Sequence, residues 1–353
     1  MTPTEHDSQP NMTAKNMIER LRVWSLVAAV LMTVLWLLGR LLGDGTVFTA
    51  LLFYIPTPTV IALWLFAVIW IPGSRARLAV CLATVLGLTA HFLYEEHTLA
   101  EHQRHSRVRS VLLEDTQLLE DAQPLKLVQW NVFRNYLPWS VKIGLLRDLE
   151  ADVYVLNELP RQVTRGNWAL KLGKNFDYAF GDLMVVACRG EVLSREFFVD
   201  NGSESLVVTC WIDGQALKIM AVDVVANPLR HRNPILERWK GRLVEEQPDL
   251  VAGDFNTPRR ATPLRRLPSG FIHAFPQVGR GWSMTWPVFF PILDLDQSIL
   301  GPTTYPESIR LLSSPVSDHR LQILHFVKVP LAEPDDESPG AQSKGQDNGT
   351  RSE

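Results

Sequence analysis

Five segments of this chain run from an apolar stretch into residues that can hold a divalent cation or a phosphate. Leu127-Val128-Gln129-Trp130 leads into Asn131, and Val153-Tyr154-Val155-Leu156 into Asn157-Glu158. Leu250-Val251-Ala252 leads through Gly253 into Asp254-Phe255-Asn256, and Pro315-Val316-Ser317 into Asp318-His319. The segment around Leu295 carries Asp294 and Asp296. Carboxylate and amide oxygens are the hard ligands that Mg²⁺ or Mn²⁺ prefers. Such an ion positions a water and offsets the charge that builds on phosphoryl oxygens. An imidazole beside a carboxylate is favoured as its cation, which would keep His319 a positive donor near neutral pH. Taken singly, an Asp after a strand is usually a turn or cap residue. The whole set, in this order, is what points to phosphate chemistry.

These tips need strands to hold them. Runs of apolar and β-branched residues predict strands at 125–131, 153–157, 183–188, 206–212, 217–222, 250–252, 293–300 and 321–327. Apolar spacing of three to four predicts helices over 139–149 and 234–245. Many strands with few helices predict an α/β fold: a four-layer sandwich of two packed, mainly antiparallel sheets with helices outside.

The 353 residues are 46% hydrophobic and 21% charged, with net charge -3 and three cysteines. This excludes a disordered chain, a collagen-like chain and a disulfide-dense miniprotein. The acidic excess argues against binding nucleic acid through bulk positive charge, although bound metal could supply that charge to an enzyme cutting phosphodiesters. Uncharged apolar runs at 23–39, 47–71 and 78–94 (the last broken only by His91) predict three transmembrane helices. Pro56 and Pro58 predict a bend in the second, and Trp36, Trp64, Trp70 and Tyr94 suit interfacial anchoring. Lys15, Arg20 and Arg22 before the first span, with Arg75 and Arg77 between the second and third, predict a cytoplasmic N-terminus and an extracytoplasmic soluble domain. Arg104, Arg107 and Arg109 weigh against that orientation.

The expected organisation is a disordered leader 1–16, a membrane segment 17–94, a juxtamembrane linker 95–123, a soluble domain 124–330 and a disordered tail 331–353. His97, His102 and His105 in the linker do not share one helix face, so a solvated helix is expected there instead of a metal site.

The order of the tips resembles the endonuclease/exonuclease/phosphatase superfamily across residues 125–328. Gly253-Asp254-Phe255-Asn256 and Ser317-Asp318-His319 carry the resemblance most specifically, followed by Gln129-Trp130-Asn131-Val132 and Asn157-Glu158. The spans, and the stretch Gly281-Trp282-Ser283-Met284-Thr285-Trp286-Pro287, resemble a membrane-anchored bacterial subgroup. The resemblance implies that Glu158, Asn131 and Asp318 hold Mg²⁺ or Mn²⁺. It implies that Asp254 deprotonates the attacking water, that Asn256 and His319 contact the phosphate, and that Asp296 pairs with His319.

The chain departs from the pattern at Asp223, where the superfamily usually has a phosphate-contacting His or Tyr. A carboxylate there repels phosphate unless it recruits a cation. Arg230, His231 and Arg232 lie close by in sequence, as donors or as a solvated turn. The expected function is a membrane-anchored, metal-dependent hydrolase of phosphate esters, a phosphodiesterase or nuclease. The alternative is a degenerate domain that binds a phosphorylated ligand or a protein without cutting. The substrate class stays open between nucleic acid, phospholipid headgroup and inositol phosphate, and no obligate protein partner is expected. Two further alternatives stay open: Cys188 and Cys210 as a disulfide or as buried thiols, and Trp282 and Trp286 as a stacking wall or as core.

Overall fold

The computed structural model describes residues 11–69, 75–95, 123–133, 138–161, 163 and 172–329. The linker with its three histidines, the tail and Trp70 lie outside the described residues. So do residues 1–10 of the leader, whereas 11–16 already belong to a helix.

The N-terminal helices are α1 (Asn11–Leu42), α2 (Val47–Phe53), α3 (Thr57–Ile69) and α4 (Arg75–Glu95). Two helices, Asn16–Leu42 and Arg75–Tyr94, are long and apolar enough to cross a membrane. The expected middle span is instead the pair α2 and α3, bent by 56°. Ile55 and Pro56 fall in the break, because proline lacks the N–H that would continue the helix. α2 lies tightly against α1. A Cβ on Gly39 would sit 2.3 Å from the Leu52 carbonyl, so only glycine permits this approach. Trp36 and Trp64 are not interfacial anchors. Both are buried, and their indoles donate across helices to Thr57 (3.2 Å) and Thr33 (2.8 Å). A buried indole N–H needs a partner inside the bundle. Val23, Leu31, Leu41, Leu86 and Tyr94 face outward.

The rest of the described chain builds two six-stranded sheets. The first holds β1 (Leu125–Asn131), β2 (Val153–Asn157), β3 (Phe176–Phe180), β4 (Val185–Arg189), β11 (Thr304–Leu312) and β12 (Leu321–Lys328), in the order β11-β12-β1-β2-β4-β3. The second holds β5 (Glu191–Asp200), β6 (Ser203–Ile212), β7 (Gln215–Val224), β8 (Leu250–Asp254), β9 (Ile272–His273) and β10 (Asp296–Leu300), in the order β5-β6-β7-β8-β10-β9. Both sheets are mixed: β1–β2 and β7–β8 are parallel, and the other neighbours are antiparallel.

Alternating side chains fill both faces. Leu127, Val153 and Val155 meet Leu206, Val208, Ala221 and Ala252 in the core between the sheets. On the outer face of the first sheet, Val128, Trp130 and Tyr154 pack against α5 (Trp139–Asp148) through Ile143 and Leu146. On the outer face of the second, Met220, Val222 and Val251 pack against α6 (Asn233–Glu246) through Leu236, Trp239 and Leu243. The layers are therefore helix, sheet, sheet, helix. Two short helices, α7 (Thr262–Arg265) and α8 (Ala274–Val278), complete the domain.

Candidate active site between the two sheets

The strand faces that build the inner core change from apolar to polar at one end. β1 places Leu125 and Leu127 inside, then Gln129 and Asn131 on the same face, because alternate residues share a face. β2 continues Val153 and Val155 with Asn157, and β8 continues Leu250 and Ala252 with Asp254. β10 begins at Asp296 and reaches Leu300 on that face. Gln129, Asn131, Asn157, Asp254, Asp296 and His319 are all buried. Burying so many polar groups in one crevice demands that they bond to one another.

They do. Asn131 Nδ2 donates to Asp254 Oδ2 (2.8 Å) and to Glu158 Oε1 (3.2 Å), while Asn131 Oδ1 accepts from the Phe133 N–H (3.0 Å). An amide oxygen has two lone pairs, so one stays free. Gln129 Nε2 donates to Asp296 Oδ1 (2.9 Å), and His319 Nδ1 pairs with Asp296 Oδ2 at 2.8 Å. The other ring nitrogen, Nε2, lies 4.0 Å from Asp254 Oδ2. The Asn256 N–H donates to Asp254 Oδ1 (2.8 Å), and Asn256 Nδ2 donates to the Val224 carbonyl (2.8 Å). Ser317 Oγ donates to the Asn131 carbonyl (2.7 Å), and the Trp130 indole donates to the His319 carbonyl (3.1 Å). These last two bonds tie the Asp318-His319 tip to the end of β1.

Local backbone conformation aims the tips. Glu158, Asn256 and Phe133 have positive φ values of 54°, 47° and 47°. Non-glycine residues adopt this region at a cost of about 1–3 kcal/mol when the surroundings impose it. Each turns the chain sharply beside the crevice. Gly253 has φ 154°, and a Cβ there would lie 2.0 Å from the Val222 carbonyl oxygen, so only glycine lets β8 pass β7 before Asp254.

The charges are strongly coupled. Burial and the neighbouring Asp296 carboxylate raise Asp254 to about 7, against the opposing pull of His319 and the Asn256 and Asn131 hydrogen bonds. Burial alone would lower His319. Asp296, then Asp254 and Asp318, outweigh it and hold the ring up at about 10. The ligand atoms of Asp254, Asp296 and His319 lie within 4.8 Å of one another, close enough for an ion. The 2.8 Å His319–Asp296 bond takes up the near ring nitrogen, which favours a proton-transfer chain there instead.

Asp318 fits a cation better. Its Oδ2 accepts from the Trp286 indole (3.0 Å), and its Oδ1 is buried with no hydrogen-bond partner. A buried carboxylate oxygen left unpaired is costly unless something positive completes it. Lys142, fully buried and not anticipated from the sequence, donates to the Val132 and Phe133 carbonyls. Burial lowers its pKa, and Asp318 and Glu158 raise it, so both acids lie within electrostatic reach of one ammonium. Lys142 shares the i, i+3, i+4, i+7 stripe of Trp139, Ile143 and Leu146 on α5, so its position faces inward although its type is polar.

Of the expected site residues, Asn131, Glu158, Asp254, Asn256, Asp296 and His319 form one bonded network, and Asp318 joins it through the Ser317-His319 tip. Asp223 lies beside Asp254 in the β7–β8 register, half-buried. Trp286 and Trp282 are both half-buried: the first donates to Asp318 (3.0 Å), and the second to the Pro291 carbonyl (2.6 Å). Thr285, between them in function, accepts the Leu295 and Asp296 N–H groups on its hydroxyl (3.1 and 3.2 Å). Cys188 and Cys210 are free and buried, not disulfide-bonded.

No family model matches this sequence. The chain is 29% identical over 126 residues to the uncharacterized protein YbhP of Escherichia coli strain K12, covering 32% of this chain and 50% of that protein. It spans about half the length of the curated relatives it matches. Among solved structures it is similar to a humanized TDP2 of D. rerio, with TM-score 0.49 and 19% identity over 57% of this chain and 98% of that one. D. rerio TDP2 complexed with a single-strand DNA product is similar at TM-score 0.49 and 20% identity, over 58% and 99% of the two chains. An endonuclease/exonuclease/phosphatase family protein from Bacteroides thetaiotaomicron is similar at TM-score 0.49 and 13% identity, over 59% and 99%.

Proposed function

We propose that this chain is a membrane-anchored, divalent-metal-dependent hydrolase of phosphate esters, with phosphodiesters as its substrate class. The observation that carries the reading is that Asn131, Glu158 and Asp254 on one side and Asp296 and His319 on the other are bonded among themselves and joined through Ser317 at one end of the inter-sheet crevice.

Glu158 and Asp318, with Asn131 bonded to Glu158, are the residues that would hold Mg²⁺ or Mn²⁺; the orphaned Asp318 Oδ1 supports this fit. Such an ion would stabilise charge on the phosphoryl oxygens and lower the pKa of a bound water. The rest of the chemistry belongs to the chain. Asp254, with a carboxyl raised to about 7, is basic enough to take a proton from the attacking water. Asn131 and the Asn256 N–H hold that carboxylate in place. His319, kept cationic by Asp296, donates from Nε2 to a phosphoryl oxygen as charge builds there. Gln129 and Thr285 fix Asp296, and so fix the ring.

The anchor is α1, α4 and the bent pair between them. Asp44, after α1, and Phe92, near the end of α4, both touch the catalytic domain, whereas Arg20, Arg22, Arg75 and Arg77 lie at the opposite helix ends. An excess of basic residues on the cytoplasmic side supports an extracytoplasmic catalytic domain.

The test is hydrolysis by the full chain in detergent with Mg²⁺ or Mn²⁺. The substrates are bis(p-nitrophenyl) phosphate, single-stranded DNA, phosphatidylcholine and an inositol phosphate. Metal-dependent turnover that Asp254→Asn and His319→Ala each reduce by at least 10²-fold is expected. A second reading, a domain that binds phosphate esters without cutting them, draws on Asp223 beside Asp254. It prevails if the full chain binds these compounds and releases no product.

A further inference from the structure

The crevice is crowded with acids. Asp223, Asp254, Asp296, Asp318 and Glu158 all belong to it, yet the substrate read from it is an anion. His319 and Lys142, the latter within electrostatic reach of Asp318 and Glu158, do not balance that charge. A further buried cation on the Asp254 side is Arg232, which is 5% exposed although arginine is seldom buried.

Arg232 stands beside Asn256. Asn256 Nδ2 donates to the Val224 carbonyl, and Arg232 donates to the next two, Val225 (3.3 Å) and Ala226 (2.9 Å). Three successive carbonyls after β7 therefore hold both side chains. Two of the five guanidinium donors are used there, which leaves three. Burial pushes Arg232 below its ordinary pKa, while Tyr54 and Asp254 act on it in the opposite direction, so both lie within electrostatic reach.

Tyr54 comes from the membrane segment, at the break between α2 and α3. Its hydroxyl is buried and has no hydrogen-bond partner. The catalytic domain grips the chain on both sides of it. Arg260 donates to the carbonyls of Phe53 (3.2 Å) and Ile55 (3.5 Å), and its guanidinium lies 5.7 Å from the Phe53 ring. Asp44, 2% exposed, accepts from the Thr262 N–H (2.9 Å) and hydroxyl (2.6 Å), while Asn233 Nδ2 donates to the Asp44 carbonyl (2.9 Å). Both gripping segments, 231–233 and 260–262, lead away from the strands that end in Asp223 and Asp254.

We propose that Tyr54 and Arg232 together form a phosphate-binding subsite beside Asn256, so that the membrane hairpin contributes a substrate-binding side chain. The inference rests on the phosphate-ester reading of the same site. It gives the buried hydroxyl and the spare guanidinium donors one shared partner, and it supplies positive potential on the Asp223 side of an acidic crevice.

The experiment uses the full chain in detergent with Mg²⁺ and inorganic phosphate as the probe, titrated calorimetrically. Tyr54→Phe removes only an atom that has no partner. Its Kd for phosphate is expected to be roughly tenfold weaker, the scale of one hydrogen bond to a charged group. Its melting temperature without phosphate should equal that of the wild type. Tyr94→Phe, at an exposed position on α4, should change neither quantity. Unchanged phosphate affinity in Tyr54→Phe, a lowered melting temperature, or no saturable phosphate binding by the wild type overturns the proposal. Hydrolysis of bis(p-nitrophenyl) phosphate is followed in the same samples. Tyr54-dependent binding without turnover sinks the hydrolase reading and leaves the subsite, whereas turnover with Tyr54-independent binding does the reverse.

Discussion

Asp296→Asn keeps the shape of the side chain and removes its charge. Asp296 accepts from Gln129 on Oδ1 and from His319 on Oδ2, so both oxygens are in use. Asp296 is the strongest influence raising His319, and burial works against it. The rise from 6.5 to about 10 corresponds to roughly 5 kcal/mol in favour of the charged ring. With Asp296 neutral, burial is opposed only by Asp254 and Asp318, so the ring falls back toward or below its ordinary value. Asp254 loses its chief carboxylate neighbour at the same time and becomes a weaker base. A neutral imidazole at pH 8 no longer offers a cationic donor. We expect kcat for bis(p-nitrophenyl) phosphate to fall about 10²–10³-fold with KM within a few fold, since the donor acts in the transition state. The assay is hydrolysis by the full chain from pH 5 to 9, with the His319 ring followed by NMR of ¹³C-labelled histidine. Activity within threefold of wild type at pH 8, or a ring still charged at pH 8 in the variant, refutes the reasoning.

Gly253→Ala should destabilise the catalytic domain by several kcal/mol, because its Cβ meets the Val222 carbonyl at 2.0 Å and its φ of 154° disfavours any side chain. An urea midpoint close to that of the wild type would contradict this. His273 is lowered to about 3, first by burial and then by Arg259, so it is neutral when folded and takes up a proton on unfolding below pH 6.5. Its contribution to stability is present above pH 6.5 and drains away as the pH falls toward 3, by at most about 1.4 kcal/mol per pH unit. His273→Gln should flatten that part of the melting profile, and an unchanged slope would count against it. Saturating Mg²⁺ should raise the melting temperature, by the equivalent of about 2.7 kcal/mol at a hundredfold excess over Kd, and chelation should reverse the gain. Glu158→Gln should abolish the response, and an undiminished Mg²⁺ effect in that variant would remove Glu158 from the metal site.

The tips were legible because strands of β-branched and aliphatic residues end abruptly on acids and amides, and β1, β2, β8 and β12 appear close to their expected limits. β5 was missed because Ser194-Arg195-Glu196 splits its apolar residues into two short runs, and the strand is exposed along most of its length. β11 was missed because Pro306 and Glu307 interrupt its apolar pattern. Hydrophobic patterning reports burial, and edge strands have little of it. The same limit explains the site. Asp254, His319 and Asp296 stand out as chemical types, whereas Gln129 and Thr285 matter through bonds to Asp296 from other segments, which no local pattern encodes. The membrane runs were visible from composition, but Trp36 and Trp64 looked like anchors because position along a run does not reveal which way a helix faces.

The grip on Asp44 also has a temporal side. The chain is made from its N-terminus, so the loop that carries Asp44 is complete long before Asn233 and Thr262 exist. The later-born segments would thus mature against a surface that is waiting for them, as a casting sets in its mould. A protease cut between the two parts after maturation and a fragment synthesised alone are then different molecules, and comparing their refolding would read that history directly.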